Sequence, residues 1–166
     1  PVSKAVRLTQ GDGVKTTILL ELDISGQEVV YQPGDAFDIL CPNRESEVEA
    51  LLLRLDLEMQ KNYAVQVSLL KNNKKKAAKV PLHIPMNSSL LFVLTWCLEI
   101  RSAPKKVFVR ALAECTHNAS ERRRLLELCS KEGSADYNCF IRDSDVCVLD
   151  LLLAFPSCRP PLSLMI

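Results

Sequence analysis

The stretch Val29-Val30-Tyr31-Gln32-Pro33-Gly34-Asp35-Ala36-Phe37-Asp38-Ile39-Leu40-Cys41-Pro42-Asn43 limits the architecture most sharply. Pro33 sets φ for a turn and Gly34 supplies a left-handed position, so the chain must reverse there. The Asp35 carboxylate is placed to accept from neighbouring backbone N–H groups. The apolar runs on either side, Val29–Tyr31 and Ala36–Cys41, read as strands. Pro42-Asn43 stops the second run, and an acidic, helix-like stretch follows from Glu45. Sheet first and helix after is the pattern of an α+β chain.

The upstream residues extend the sheet. Ser3–Leu8 and Lys15–Asp23 read as strands, with turn chemistry at Gln10-Gly11-Asp12-Gly13 and Ser25-Gly26. Val29–Tyr31 is expected to pair back on the second strand as a hairpin. Short strands at this spacing predict the opening of an antiparallel barrel, too few to close one.

Downstream the texture turns helical. Val48, Leu51, Leu52 and Leu55 recur at helical spacing within Ser46–Leu57, and acids in the first turn suit the helix dipole. Tyr63–Leu70 reads as one more strand. Lys71–Lys79 reads as an exposed basic loop, with a docking patch for an acidic partner as the alternative. Ser88 or Ser89 is a candidate cap for a buried helix ending near Leu98, with Trp96 in the core. Pro104 opens a helix to Cys115, and Asn118 or Ser120 opens another through Cys129. Gly133-Ser134 breaks that one. Ala135–Arg142 is a short helix, and Asp143 is the expected cap of a last helix, Ser144–Phe155. The fold expected is thus α+β: a partial antiparallel β-barrel over residues 1–84 and an all-helical lobe over residues 85–166.

Composition removes several function classes. A chain of 166 residues, 48% hydrophobic, builds one domain or a domain plus a lobe. A net charge of +1 argues against nucleic acid as a partner. No apolar run reaches the roughly 20 residues that span a bilayer, so no membrane partner is expected. Pro1-Val2-Ser3-Lys4 lacks the apolar segment of a signal peptide. It also lacks an initiating Met, so the chain is expected to be a piece of a longer one. Seven cysteines without a Cys-x-x-Cys pair, and His83 and His117 away from any such pair, predict no metal site. An odd count of thiols with no secretory signal suits a reducing, cytoplasmic setting, with most of them acting as small core hydrophobes. There is no Gly-x-Gly-x-x-Gly, no phosphate loop and no Gly-x-Ser-x-Gly elbow. His83, beside Leu82 and Ile84, reads as a loop histidine rather than a base. No catalytic residue is predicted.

The order of several segments goes further. Leu20-Glu21-Leu22-Asp23-Ile24-Ser25, then Tyr31-x-Pro33-Gly34-Asp35, then Pro42-Asn43, resembles the start of the FAD-binding module of the diflavin reductases. Leu94-Thr95-Trp96-Cys97-Leu98-Glu99-Ile100, Pro104-Lys105-Lys106 and Phe155-Pro156-Ser157-Cys158-Arg159-Pro160-Pro161 resemble that family's helical connecting domain. Glu127–Lys131 and Asp150–Ser157 look like the branch whose acceptor is the cobalamin of methionine synthase. The resemblance implies a ferredoxin-reductase-type FAD domain in a cytoplasmic, NADPH-dependent parent enzyme. There, electrons pass from NADPH to FAD, to FMN and to the acceptor. It implies FAD, FMN and NADPH as cofactors of the parent. Its partners would be methionine synthase and the parent's own FMN and NADPH domains.

Site residues carry over sparingly. The family's Arg-x-Tyr-Ser flavin motif follows the Arg-Pro-Pro segment and would arrive after Ile166. Some relatives carry a flavin-contacting arginine where this chain has Asp145, and that contact is not carried over. A basic residue eight positions before the Asp of Leu-Glu-Leu-Asp contacts NADPH phosphate in relatives; here it is Lys15. Without the resemblance, Lys15 is an exposed strand-end lysine. The chain alone is therefore expected to hold no cofactor and to be inactive. The rival reading is a flavin-free interaction module from a short isoform.

Overall fold

The computed structural model describes residues 1–11, 15–26, 28–68, 80 and 83–166. Backbone contacts divide the chain into two compact units, Pro1–Ile39 and Leu40–Ile166. The architecture is α+β, with small antiparallel sheets and no closed barrel among the described residues. The basic segment 71–79 lies outside those residues.

In the first unit, β1 (Val2–Arg7) pairs antiparallel with β2 (Ile18–Leu22), with Arg7 opposite Ile18 and Val2 opposite Leu22. Lys4 Nζ meets Glu21 Oε1 at 3.2 Å across the ladder. The turn at Pro33-Gly34 forms as expected. Asp35 N donates to Gln32 O at 3.0 Å, Gln32 N donates to Asp35 Oδ2 at 2.7 Å, and Gly34 takes φ +100°. Its flanks differ from expectation. Neither Val29–Tyr31 nor Ala36–Cys41 is a strand, and the partner of β2 is β1. An apolar run becomes a strand only when an edge lies alongside to take its N–H and C=O groups. No described segment does so here.

The second unit holds the core. α1 (Glu45–Arg54) buries Val48, Leu51 and Leu52. A two-residue pairing, β3 (Ala64–Val65) with β4 (Ser88–Ser89), leads into α2 (Leu90–Phe92), which widens into a π-helical turn, Val93–Cys97. Ser89 is the cap: its Oγ accepts from Phe92 N at 3.1 Å. That turn buries Leu90, Val93 and Leu94, but Trp96 stays 43% exposed and Phe92 40%, so neither is a core residue. Both fall on the outer side because the buried positions take the opposite face of a very short helix.

α3 (Lys106–Glu114) and α4 (Ala119–Cys129) pack together, and Val109, Leu112, Ala113, Leu125 and Leu128 join α1 in one core. Asn118 caps α4, its Oδ1 accepting from Ser120 N at 2.9 Å and Glu121 N at 3.2 Å. Lys106 finishes the same helix from outside, Nζ donating to Ser130 O at 2.9 Å and Ser134 Oγ at 2.7 Å. At Gly133 the backbone lies so close that a Cβ would collide with the Glu127 carbonyl, so only glycine fits. α5 (Ser134–Tyr137) continues into a π turn, Asn138–Arg142.

The last long helix starts later than expected. α6 is Val148–Ala154, capped at Cys147, whose N–H donates to Asp150 Oδ2 at 2.9 Å. Asp145 takes φ +49°, which interrupts a helix begun at Ser144, so Asp143 is not its cap. α7 (Leu162–Met165) closes the described chain. α1 shares its core with helices beyond residue 85.

Candidate functional site

The segment after α6, Pro156-Ser157-Cys158-Arg159-Pro160-Pro161, has little regular structure of its own. Three helices hold it. From the start of α4, Glu121 Oε2 accepts from Ser157 N at 3.0 Å and from Ser157 Oγ at 2.7 Å. Asn118 N donates to Ser157 Oγ at 3.0 Å. From the end of α3, Thr116 and Cys158 form an antiparallel bridge, and Arg159 N donates to Cys115 O at 2.9 Å. Cys158 is 1% exposed and its Sγ donates to Leu112 O at 3.4 Å. Burial pushes its thiol pKa up against the opposing hydrogen bond with Thr116, so it is an unreactive neutral donor. From α1, Arg54 Nε donates to Leu152 O at 2.8 Å, and Nη2 to the Phe155, Pro156 and Cys158 carbonyls at 3.2, 3.1 and 2.9 Å.

A second fastening lies at Asn43. Its Nδ2 donates to Leu94 O and Leu98 O, both at 2.7 Å, and its N–H to Thr95 O at 2.8 Å. A helix end leaves carbonyls without partners, and an amide with two donors satisfies two at once. In the sequence Pro42-Asn43 reads as a stop and as part of the family resemblance, with no sign of this fastening. Sequence reasoning missed Arg54 and Glu121 altogether; an acid at the third helical position is the one local signal that pointed to Glu121.

Lys15 is exposed, just before β2 in the first unit. Asp145 is exposed, in the turn before α6. His83 belongs to a loop: its Nε2 pairs with Cys97 O at 3.1 Å, as befits a structural histidine. All seven cysteines are free, and Cys97 and Cys158 are buried while Cys41 and Cys139 are exposed. No group of three metal-ligating side chains occurs among the described residues.

The first unit also carries a groove of about 590 Å³ walled by Leu22, Ile24, Val30, Tyr31, Asp35 and Phe37 among others. Apolar and aromatic walls suit a flat ring. A dinucleotide pyrophosphate needs cationic side chains or clustered N–H donors. The groove's charged lining residue is the acid Asp35, already bound to Gln32 N, so its described walls do not fit the pyrophosphate end of FAD.

The sequence matches the family described as "FAD binding domain" across residues 1–166, and the chain belongs to that family. It is 60% identical over its full length to methionine synthase reductase of Mus musculus and 57% identical to that of Homo sapiens, covering 24% of each. It is 32% identical to NADPH–cytochrome P450 reductase of Dictyostelium discoideum over 81% of this chain and 19% of that one. The chain thus spans about a quarter of the length of the first two relatives. No helix among the described residues is long and apolar enough to cross a membrane.

Proposed function

We propose that this chain is part of a cytoplasmic, NADPH-dependent diflavin oxidoreductase that passes electrons through FAD and FMN to the cobalamin of methionine synthase. Residues 1–84 would contribute the opening of its FAD-binding sheet and residues 85–166 its connecting lobe. The full-length match to methionine synthase reductases carries this reading. On it, the chain's residues bind and place rather than react. Lys15 would meet NADPH phosphate, and the clamped Phe155–Pro161 segment would aim the chain toward the flavin contacts that follow. The full-length protein should purify with FAD and FMN, oxidise NADPH and reactivate oxidised methionine synthase. Purification without flavin would sink the reading. A charge-assisted contact is worth roughly 1.5–3 kcal/mol, so Lys15→Ala should raise the KM for NADPH at least about tenfold and lower kcat less. An unchanged KM would remove Lys15 from the site.

The groove without a cation among its described walls favours a narrower statement about the piece itself: alone, it holds no FAD. It would then act, if expressed by itself, as a flavin-free interaction module. Titrating FAD into the 166-residue chain should leave flavin fluorescence unquenched. Stoichiometric quenching at micromolar concentration would overturn this.

A further inference from the structure

Arg54 ends α1, yet every carbonyl its side chain reaches lies about a hundred residues later. Its donors engage Leu152, Phe155, Pro156 and Cys158, while its own carbonyl accepts from Arg159 Nη1 at 3.2 Å. Leu152 lies inside α6, Phe155 caps it, and Pro156 and Cys158 belong to the turn beyond. One planar group therefore ties a helix end to the path the chain takes on leaving it. A guanidinium holds five N–H donors in a fixed fork, whereas an ammonium offers three on a flexible stem. Lysine at this place keeps the charge and loses the fork.

The residue is not explained by stability alone. Arg54 Nη1 is buried with no partner among the described residues, which weighs against the fold. Burial, and then the neighbouring Arg159, lower its proton affinity, though a guanidinium stays charged at any ordinary pH. An arginine that leaves one nitrogen unsatisfied while four carbonyls converge on the others is set for geometry.

We infer that Arg54 is a positioning residue, whose guanidinium fixes the course of Phe155–Pro161 and thereby the flavin site toward which that segment leads. The flavin arm of this inference rests on the diflavin-reductase reading; the geometric arm does not.

The test uses the full-length protein with Arg54→Met, Arg54→Lys and, as a control, the exposed Arg123→Met. Hydrogen exchange reads the amides of Cys158 and Arg159, which donate to Phe155 O and Cys115 O. Both Arg54 variants should speed these two amides about tenfold and leave α3 and α4 within about twofold. FAD affinity should fall about tenfold in both, and the control should match wild type in every measurement. If Arg54→Met does not fold, Arg54→Lys decides alone. Unchanged exchange at Cys158 and Arg159 overturns the inference. So does an equal speed-up throughout α3 and α4, which would make Arg54 a general core residue. A loosened segment with wild-type FAD affinity also overturns it. A wild-type protein without flavin sinks the proposed function instead, and the exchange comparison then decides on its own whether Arg54 sets the path of the segment.

Discussion

The two compact units treat their apolar residues in opposite ways. In residues 40–166, Leu51, Leu52, Leu94, Leu112 and Leu125 are essentially sealed in a core to which α1 through α6 and both π turns contribute. In residues 1–39, adjacent positions on β2 face opposite sides of the ladder, and both are open: Leu19 is 44% exposed and Leu20 45%. The turn-flanking Val30, Tyr31 and Phe37 are more open still. A two-stranded hairpin is marginal in water unless another layer covers it. Helical periodicity gives a unit that buries its own stripe, whereas a strand pair has two faces and needs a partner for each.

The largest expected contrast lies in that burial. Leu52→Ala should cost residues 40–166 about 2–5 kcal/mol in urea unfolding followed by helical circular dichroism. Leu20→Ser should move the same transition by no more than about 0.5 kcal/mol. Equal losses would break the comparison. A smaller effect should come from the caps: Asn118→Ala removes the acceptor of two N–H groups at the start of α4 and should cost about 1 kcal/mol. No loss there would mean that water satisfies those two N–H groups as well as the Asn118 side chain does. The smallest is a pH effect confined to the second unit, because residues 1–39 contain no cysteine. Burial raises the thiol pKa of Cys97, Cys129, Cys147 and Cys158. The folded state therefore keeps protons that unfolded thiols release above about pH 8.5. Stability from this source is complete below that pH and declines as pH rises through the folded values. Denaturation midpoints at pH 7 and 9.5 would show it, and a midpoint that rises toward alkaline pH would contradict it.

Legibility in the sequence follows the range of the forces. Ser89 and Asn118 act on N–H groups two or three residues away, and both were readable as caps. The turn at Pro33-Gly34 is equally local. Val29–Tyr31 and Ala36–Cys41 read as strands yet form none, because pairing depends on a distant edge, and an apolar run has the same pattern with or without one. The start of α6 moved because Asp145 adopts a left-handed conformation, which an aspartate tolerates without announcing it. Lys15 was named from family resemblance, since nothing local distinguishes it from a solvated lysine. Arg54 left no local pattern, because its partners are backbone carbonyls, which every residue has.

The span of the Arg54 contacts, 98 to 104 residues, also has a consequence for biosynthesis. Chains emerge from the ribosome from the N-terminus onward. α1 is among the first parts of the second unit to be made, yet its end stays unfastened until Cys158 has left the exit tunnel. Closing so long a loop carries an entropic cost before any contact repays it. Until then Val48, Leu51 and Leu52 lack the part of their core that Leu151 and Leu152 of α6 supply, so the earliest helix of this unit is completed by one of the last to be synthesised.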